Sequence, residues 1–125
     1  MEKKKIESFE GLKVWQRGIE LVKEVYLVTN SGDFKRDFGL RDQIRRAAVS
    51  IPTNIAEGFE RSSRKEYLLF LNIAKDSAGE VRSLLRVALE IGYLDQSRHD
   101  QLRDDVLILS RSLFSQIKAI KESIN

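Results

Sequence analysis

Cysteine is absent from the 125 residues, which excludes a disulfide framework and any thiolate metal site. Histidine occurs once, at His99. A two-metal carboxylate centre in a helical bundle needs a Glu-x-x-His pair on each of two helices, so one histidine excludes it. No glycine-rich phosphate loop, zinc-ligand spacing or nucleophile elbow occurs. The longest uncharged runs, such as Ala47 to Ala56, reach about ten residues, against the roughly 20 that a membrane helix needs. The opening Met1-Glu2-Lys3-Lys4-Lys5 leads into Ile6-Glu7-Ser8 without the apolar run of a signal peptide, so the expectation is a cytoplasmic protein with no membrane partner. Alternating strand patterns, internal repeats and low-complexity segments are also missing.

What remains is amphipathic helix. Hydrophobic residues make up 42% of the chain and charged residues 33%, too apolar for disorder and long enough for one core, so residues 1–125 read as a single domain with 1–8 as a polar arm. Glu10 to Asn30 should form the first helix. Leu12, Trp15, Ile19, Val22 and Tyr26 fall at 3-4-3-4 spacing as the bundle seam. A second stripe, Val14, Gly18, Leu21, Val25 and Val28, lies one position away, so either the core face is wide or a second side is covered by another molecule. Gly18 suggests a close backbone approach.

Asn30-Ser31-Gly32-Asp33 marks a turn, and Phe34 and Phe38 are expected to tuck under the bundle end. A second helix should start between Asp37 and Leu40 and end at Gly58 or Phe59. Pro52 lies inside it, and the unbroken rhythm of Leu40, Ile44, Ile51 and Ile55 favours one helix kinked there over two that meet at Ser50. Ser63 and Glu66 form a capping box for a third helix reaching about Ile91, read as the longest and most buried. Its stripes are Tyr67, Leu71, Ala74, Ala78, Val81, Leu85, Ala88 and the neighbouring Phe70, Ile73, Ser77, Glu80, Leu84, Val87, Ile91. Gly92 then ends it, Tyr93 and Leu94 fill the corner, and Asp95 or Ser97 caps a fourth helix carrying Leu102, Val106, Leu109, Leu113, Ile117, Ile120 and Ile124. The fold class is all-α, an antiparallel up-down-up-down four-helix bundle.

Function is less legible. His99, between Arg98 and Asp100 in the first turn of the last helix, reads as a solvated surface residue. Ser50, Asn54 and Glu57 share one side of the second helix, while Ser77 and Glu80 interrupt an apolar stripe of the third. These five read as a structural polar network serving backbone groups freed by Pro52, rather than as a site between the helices. No nucleophile or base accompanies them, so no catalytic residue, metal or cofactor is expected. The net charge of +3 is unevenly spread. Between Lys35 and Lys65 eight basic residues face four acidic ones, a local +4, while the rest holds fourteen basic against fifteen acidic. Arg41, Arg45, Arg46, Arg61, Arg64 and Lys65 are thus the candidate contacts for a phosphate backbone of RNA or DNA. Only Phe59 and Tyr67 lie near enough for stacking, too few to read single strands by sequence.

F-x-x-L-x-x-W at Phe9 to Trp15, G-L-x-x-Q-I-R-R-A-A at Gly39 to Ala48, S-I-P-x-N-I-A-E-G at Ser50 to Gly58, and Ser77 and Glu80 with Gly92-Tyr93-Leu94 carry a family resemblance. The chain resembles, over nearly its whole length, the four-helix-bundle proteins encoded by intervening sequences in bacterial 23S ribosomal RNA genes. It departs from that pattern at Lys75-Asp76-Ser77, where a glycine more often precedes the serine. The resemblance implies a bundle assembled as a ring of five, without an established catalytic activity. It also implies relatives such as the basic accessory variability protein of diversity-generating retroelements, which binds nucleic acid and associates with a reverse transcriptase. Five copies at +3 each would bring +15 to one ring.

Overall fold

The structure is a computed structural model describing residues 6–124. Every regular element among them is helical. Helix α1 spans Lys13–Thr29, α2 Phe38–Phe59, α3 Arg64–Glu90 and α4 Gln96–Ile124. Short 3-10 turns, Phe9–Gly11 and Phe34–Arg36, precede α1 and α2. In contact order α1 packs on α2, α2 on α3, α3 on α4, and α4 returns to α1, which closes a four-helix bundle around one core. Along α2 and α3, rising positions meet falling ones: Gln43 reaches Glu80, Ser50 reaches Ser77, and Gly58 abuts Tyr67.

Helix ends follow local chemistry. Asp37 caps α2 by accepting from the Leu40 amide at 3.1 Å, Ser63 caps α3 from the Glu66 amide at 3.1 Å, and Asp95 caps α4 from the Arg98 amide at 2.7 Å. Gly32 and Gly92 take positive φ, +58° and +86°, just past α1 and α3, where a Cβ would be strained. Pro52 sits within the continuous helix α2, so the single-helix reading holds.

Five expectations change. Helix α1 starts three residues later than expected, because Phe9–Gly11 forms a separate 3-10 turn. Its core stripe is Val14, Gly18, Leu21, Val25 and Val28, while Trp15, Ile19 and Val22 are half-buried and Tyr26 is 42% exposed. Pro52 decides this phase, because a methyl added to Gly18 would stand 3.3 Å from its ring. Phe34 is buried as expected against Tyr93, with ring centroids 5.3 Å apart. Phe38, in contrast, is 64% exposed at the first turn of α2, under the Arg41 guanidinium at 4.7 Å. His99 is only 4% exposed, because it extends the core series Leu102, Val106, Leu109 by one step, and its Nδ1 lies 2.9 Å from Asp100 Oδ1. Helix α4, at 29 residues, exceeds α3 at 27.

Candidate nucleic-acid interface

The six basic residues do not form one patch. Arg41, Arg45 and Arg46 belong to the first half of α2, whereas Arg61, Arg64 and Lys65 lie at the α2–α3 corner. Arg46 and Arg61 are fifteen residues apart along the chain, about 22 Å at helical rise. The helix itself separates the two groups.

At the corner the charges are largely engaged. Arg61 bonds Glu57 at 2.7 Å and lies over the Phe70 ring at 4.8 Å. Arg64 donates to Ser123 Oγ at 3.1 Å, and Lys65 is exposed. Phe59 and Tyr67 meet edge to face at 6.2 Å and are both half-buried, so they pack on each other rather than present stacking surfaces. The Tyr67 hydroxyl is buried without a hydrogen bond of good geometry, and burial pushes its phenol pKa up against the opposing influence of Gln116.

The first half of α2 is different. Arg41 is braced by Asp42 at 2.9 Å and by the Lys35 carbonyl at 3.0 Å. Arg45 donates through Nε to Thr29 Oγ1 at 2.8 Å, and its guanidinium lies 4.4 Å over the Tyr26 ring. Thr29, fully buried, donates its hydroxyl hydrogen bond to the Val25 carbonyl at 2.7 Å. Arg45 is therefore a cation fixed against α1 by two contacts. One residue on, Arg46 is exposed and has no side-chain partner among the described residues. Both arginines line an open groove of 620 Å³ with Tyr26, Asp42, Ser50, Thr53 and Asn54. The sequence pattern put Tyr26 in the bundle seam and did not single out Thr29, and it linked neither to Arg45, since each is distant along the chain from the arginine it holds.

The polar network is smaller than expected. Ser50 and Ser77 hydroxyls meet at 2.9 Å, and Asn54 Nδ2 donates to Ser50 Oγ at 2.9 Å and to the Ser50 carbonyl at 2.8 Å. These three join α2 to α3. Glu57 turns instead to Arg61, and Glu80 to Gln43 at 3.5 Å. Pro52 leaves the Ala48 carbonyl without its helical donor, and no described side chain takes that place, so the network does not serve it. Among the described residues no group of His, Cys, Asp or Glu is arranged to hold a metal, and no helix is long and apolar enough to cross a membrane.

Residues 10–115 match the family described as 23S rRNA-intervening sequence protein. The chain belongs to that family. This 23S rRNA-intervening sequence protein is also similar to a crystal structure from Bacteroides thetaiotaomicron, described as a protein of unknown function from the S23 ribosomal protein family. The two share 27% identity at a TM-score of 0.77, over 84% of this chain and 95% of the other. No functionally curated protein matches it. As a member of this family, the chain carries its basic groove on α2, the helix that holds the SIPTNIAEG run.

Proposed function

We propose that the protein is a non-enzymatic, self-associating helical bundle of the cytoplasm that binds the phosphate backbone of RNA or DNA through the first half of α2. One observation carries this reading. Arg45 is immobilised by Tyr26 and Thr29 beside an exposed, unpaired Arg46 in one open groove, with Ser50, Thr53 and Asn54 as further polar groups. A pre-positioned guanidinium loses little entropy on meeting a phosphate and donates in a planar fork. Arg41 flanks the groove, while Arg61, Arg64 and Lys65 contribute only long-range attraction from the far end of α2. The family's connection with 23S rRNA genes favours RNA by association, not by mechanism. Self-association, as the ring of five that the resemblance implies, would repeat a modest site several times and raise its avidity.

The test is a titration of fluorescent RNA and DNA oligomers over a range of salt with wild type and with Arg45→Glu/Arg46→Glu. Affinity should fall steeply with salt and collapse in the double variant.

A second reading is an adaptor for a protein partner, such as a reverse transcriptase, with charge serving docking alone. It is favoured by the apolar residues exposed on α3 and at its C-cap, Leu69, Ile73, Val87 and Ile91. Recovery of a protein partner after nuclease treatment, and its loss with Leu69→Asp, would support it.

A further inference from the structure

The basic groove opens between α1 and α2. The opposite side of the bundle, where α3 packs on α4, carries a second run of positive charge. Two contacts set the register of these helices. Arg64 donates to Ser123 Oγ, and the Lys75 ammonium stands 5.4 Å over the Phe114 ring, so rising positions on α3 meet falling ones on α4. Arg111, Phe114, Lys118 and Lys121 follow one another at 3-4-3 spacing and are all exposed, which makes them one outward stripe of α4. Exposed Arg82 lies two turns beyond Lys75 on the same side of α3. Arg82 and Lys121 therefore stand about 10 Å to either side of the Lys75–Phe114 pair, and the run is about 21 Å long.

None of Lys75, Arg82, Arg111, Lys118 and Lys121 has a carboxylate partner among the described residues. Residues 106–121 contain no acid, and on α3 Asp76 and Glu80 lie towards α2, where Glu80 meets Gln43. Phe114, 56% exposed, sits in the middle of the five cations. The sequence hides this run, because eight basic residues face seven acidic ones between Lys75 and Lys121 and no local surplus marks it. Its shape and chemistry point to a broad anionic surface. The larger grooves open along α1 or at its C-terminal end, and none opens along α3 and α4. Three of the five cations are lysines, which are depleted at protein–protein interfaces and lack the planar fork that suits arginine to a nucleic-acid phosphate. Lys75 covers one face of Phe114, so the ring is a poor stacking platform but a good apolar tip.

We propose that the outer side of α3 and α4 docks on an anionic lipid bilayer, with Phe114 entering the acyl boundary and the five cations meeting lipid phosphates. Lysine stems lie along apolar surface while their heads stay in the headgroup layer, which suits Lys75, Lys118 and Lys121 around one ring. The expectation of no membrane partner came from the lack of a spanning run, and lying on a surface needs none. A basic cluster of this size is what an anionic leaflet attracts. The α1–α2 groove then faces away from the bilayer, so the inference goes beyond the nucleic-acid reading and stands without it.

The experiment is co-sedimentation of the full chain with vesicles of phosphatidylcholine alone and of equal parts phosphatidylcholine and phosphatidylglycerol. Circular dichroism confirms that each variant is folded, as expected for the exposed positions Phe114, Lys118 and Lys121. The protein should bind the mixed vesicles, ignore the neutral ones, and dissociate as salt rises. Each basic residue near an anionic surface is worth about fivefold in affinity, so Lys118→Glu/Lys121→Glu should cost at least about 25-fold while oligonucleotide affinity is mostly kept. Phe114→Ser should weaken vesicle binding about fivefold. Absent binding to the mixed vesicles, or binding that survives Lys118→Glu/Lys121→Glu, overturns the proposal and leaves the nucleic-acid reading standing. Vesicle binding lost in Arg45→Glu/Arg46→Glu instead would move the lipid contact to α2 and also overturn it. Oligonucleotide affinity that falls as far in Lys118→Glu/Lys121→Glu as in Arg45→Glu/Arg46→Glu would assign the face to nucleic acid, against the lipid proposal.

Discussion

Gly58→Ala and Gly79→Ala make the same chemical change in two helices of the bundle, and the structure assigns them opposite signs. In either helix, replacing glycine by alanine should gain up to about 1 kcal/mol through backbone entropy. At Gly79 a new methyl meets nothing within 4 Å, so the gain is kept. At Gly58 the methyl would stand 2.8 Å from Phe70 Cβ, 2.9 Å from Tyr67 Cδ1 and 3.2 Å from the Tyr67 carbonyl oxygen. Comfortable carbon contacts begin near 3.5 Å. Two of these atoms lie on or next to the α3 backbone, so no side-chain rotation relieves the overlap, and α2 must move away from α3 by several tenths of an ångström. Overpacking of this kind costs about 1–3 kcal/mol, which leaves Gly58→Ala net destabilising by about 1–2 kcal/mol. For a domain of this size each kcal/mol shifts Tm by roughly 4 °C. Thermal melts followed by circular dichroism should place Gly58→Ala about 4–8 °C below wild type and Gly79→Ala about 2–4 °C above it. A Gly58→Ala protein melting at or above wild type would refute the close α2–α3 approach on which this reasoning rests.

Tyr67→Phe removes a buried hydroxyl that lacks a well-formed hydrogen bond, so urea unfolding should show no loss, and up to about 1 kcal/mol of gain. Thr29→Val keeps the shape but takes away the acceptor of Arg45 Nε; it should cost about 1–2 kcal/mol in the same assay and loosen nucleic-acid binding without abolishing it. Hydrogen bonds from His99 and then Gln96 hold the Asp100 carboxyl below its usual range. The folded value lies below the unfolded one of about 3.9, so this stabilisation is present above that pH and is lost as pH falls through the folded value. Asp100→Asn should therefore lower Tm at pH 6, and the difference from wild type should shrink as the melts are repeated towards pH 2.

Much of the fold is written locally. Ser63 before Glu66, glycine after α1 and α3, and the 3-4 rhythm of α4 each act within one or two turns, so the sequence displays them directly. The choice between two stripes on α1 is not local. Both have the same period, and the contact of Gly18 with Pro52, thirty-four residues away in the chain, selects the phase. His99 shows the reverse case. Its position continues the apolar series of α4, but its polar chemistry suggested the surface, and one bond to Asp100 was enough to let it be buried. For the basic residues, closeness in sequence misled because a 22-residue helix holds its ends roughly 33 Å apart. What distinguishes Arg45 from the other five is its bracing by Thr29 and Tyr26, sixteen and nineteen positions earlier. No periodicity encodes that contact.

The most direct test of the central claim is the salt dependence of nucleic-acid affinity in wild type and in Arg45→Glu/Arg46→Glu, with Arg61→Glu/Arg64→Glu as the comparison. The account predicts a straight, steep decline of log affinity with log salt for wild type. The Arg45/Arg46 variant should lose binding at every salt concentration, while the corner variant keeps most of its affinity. Absent binding, salt-independent binding, or equal losses in the two variants would contradict it.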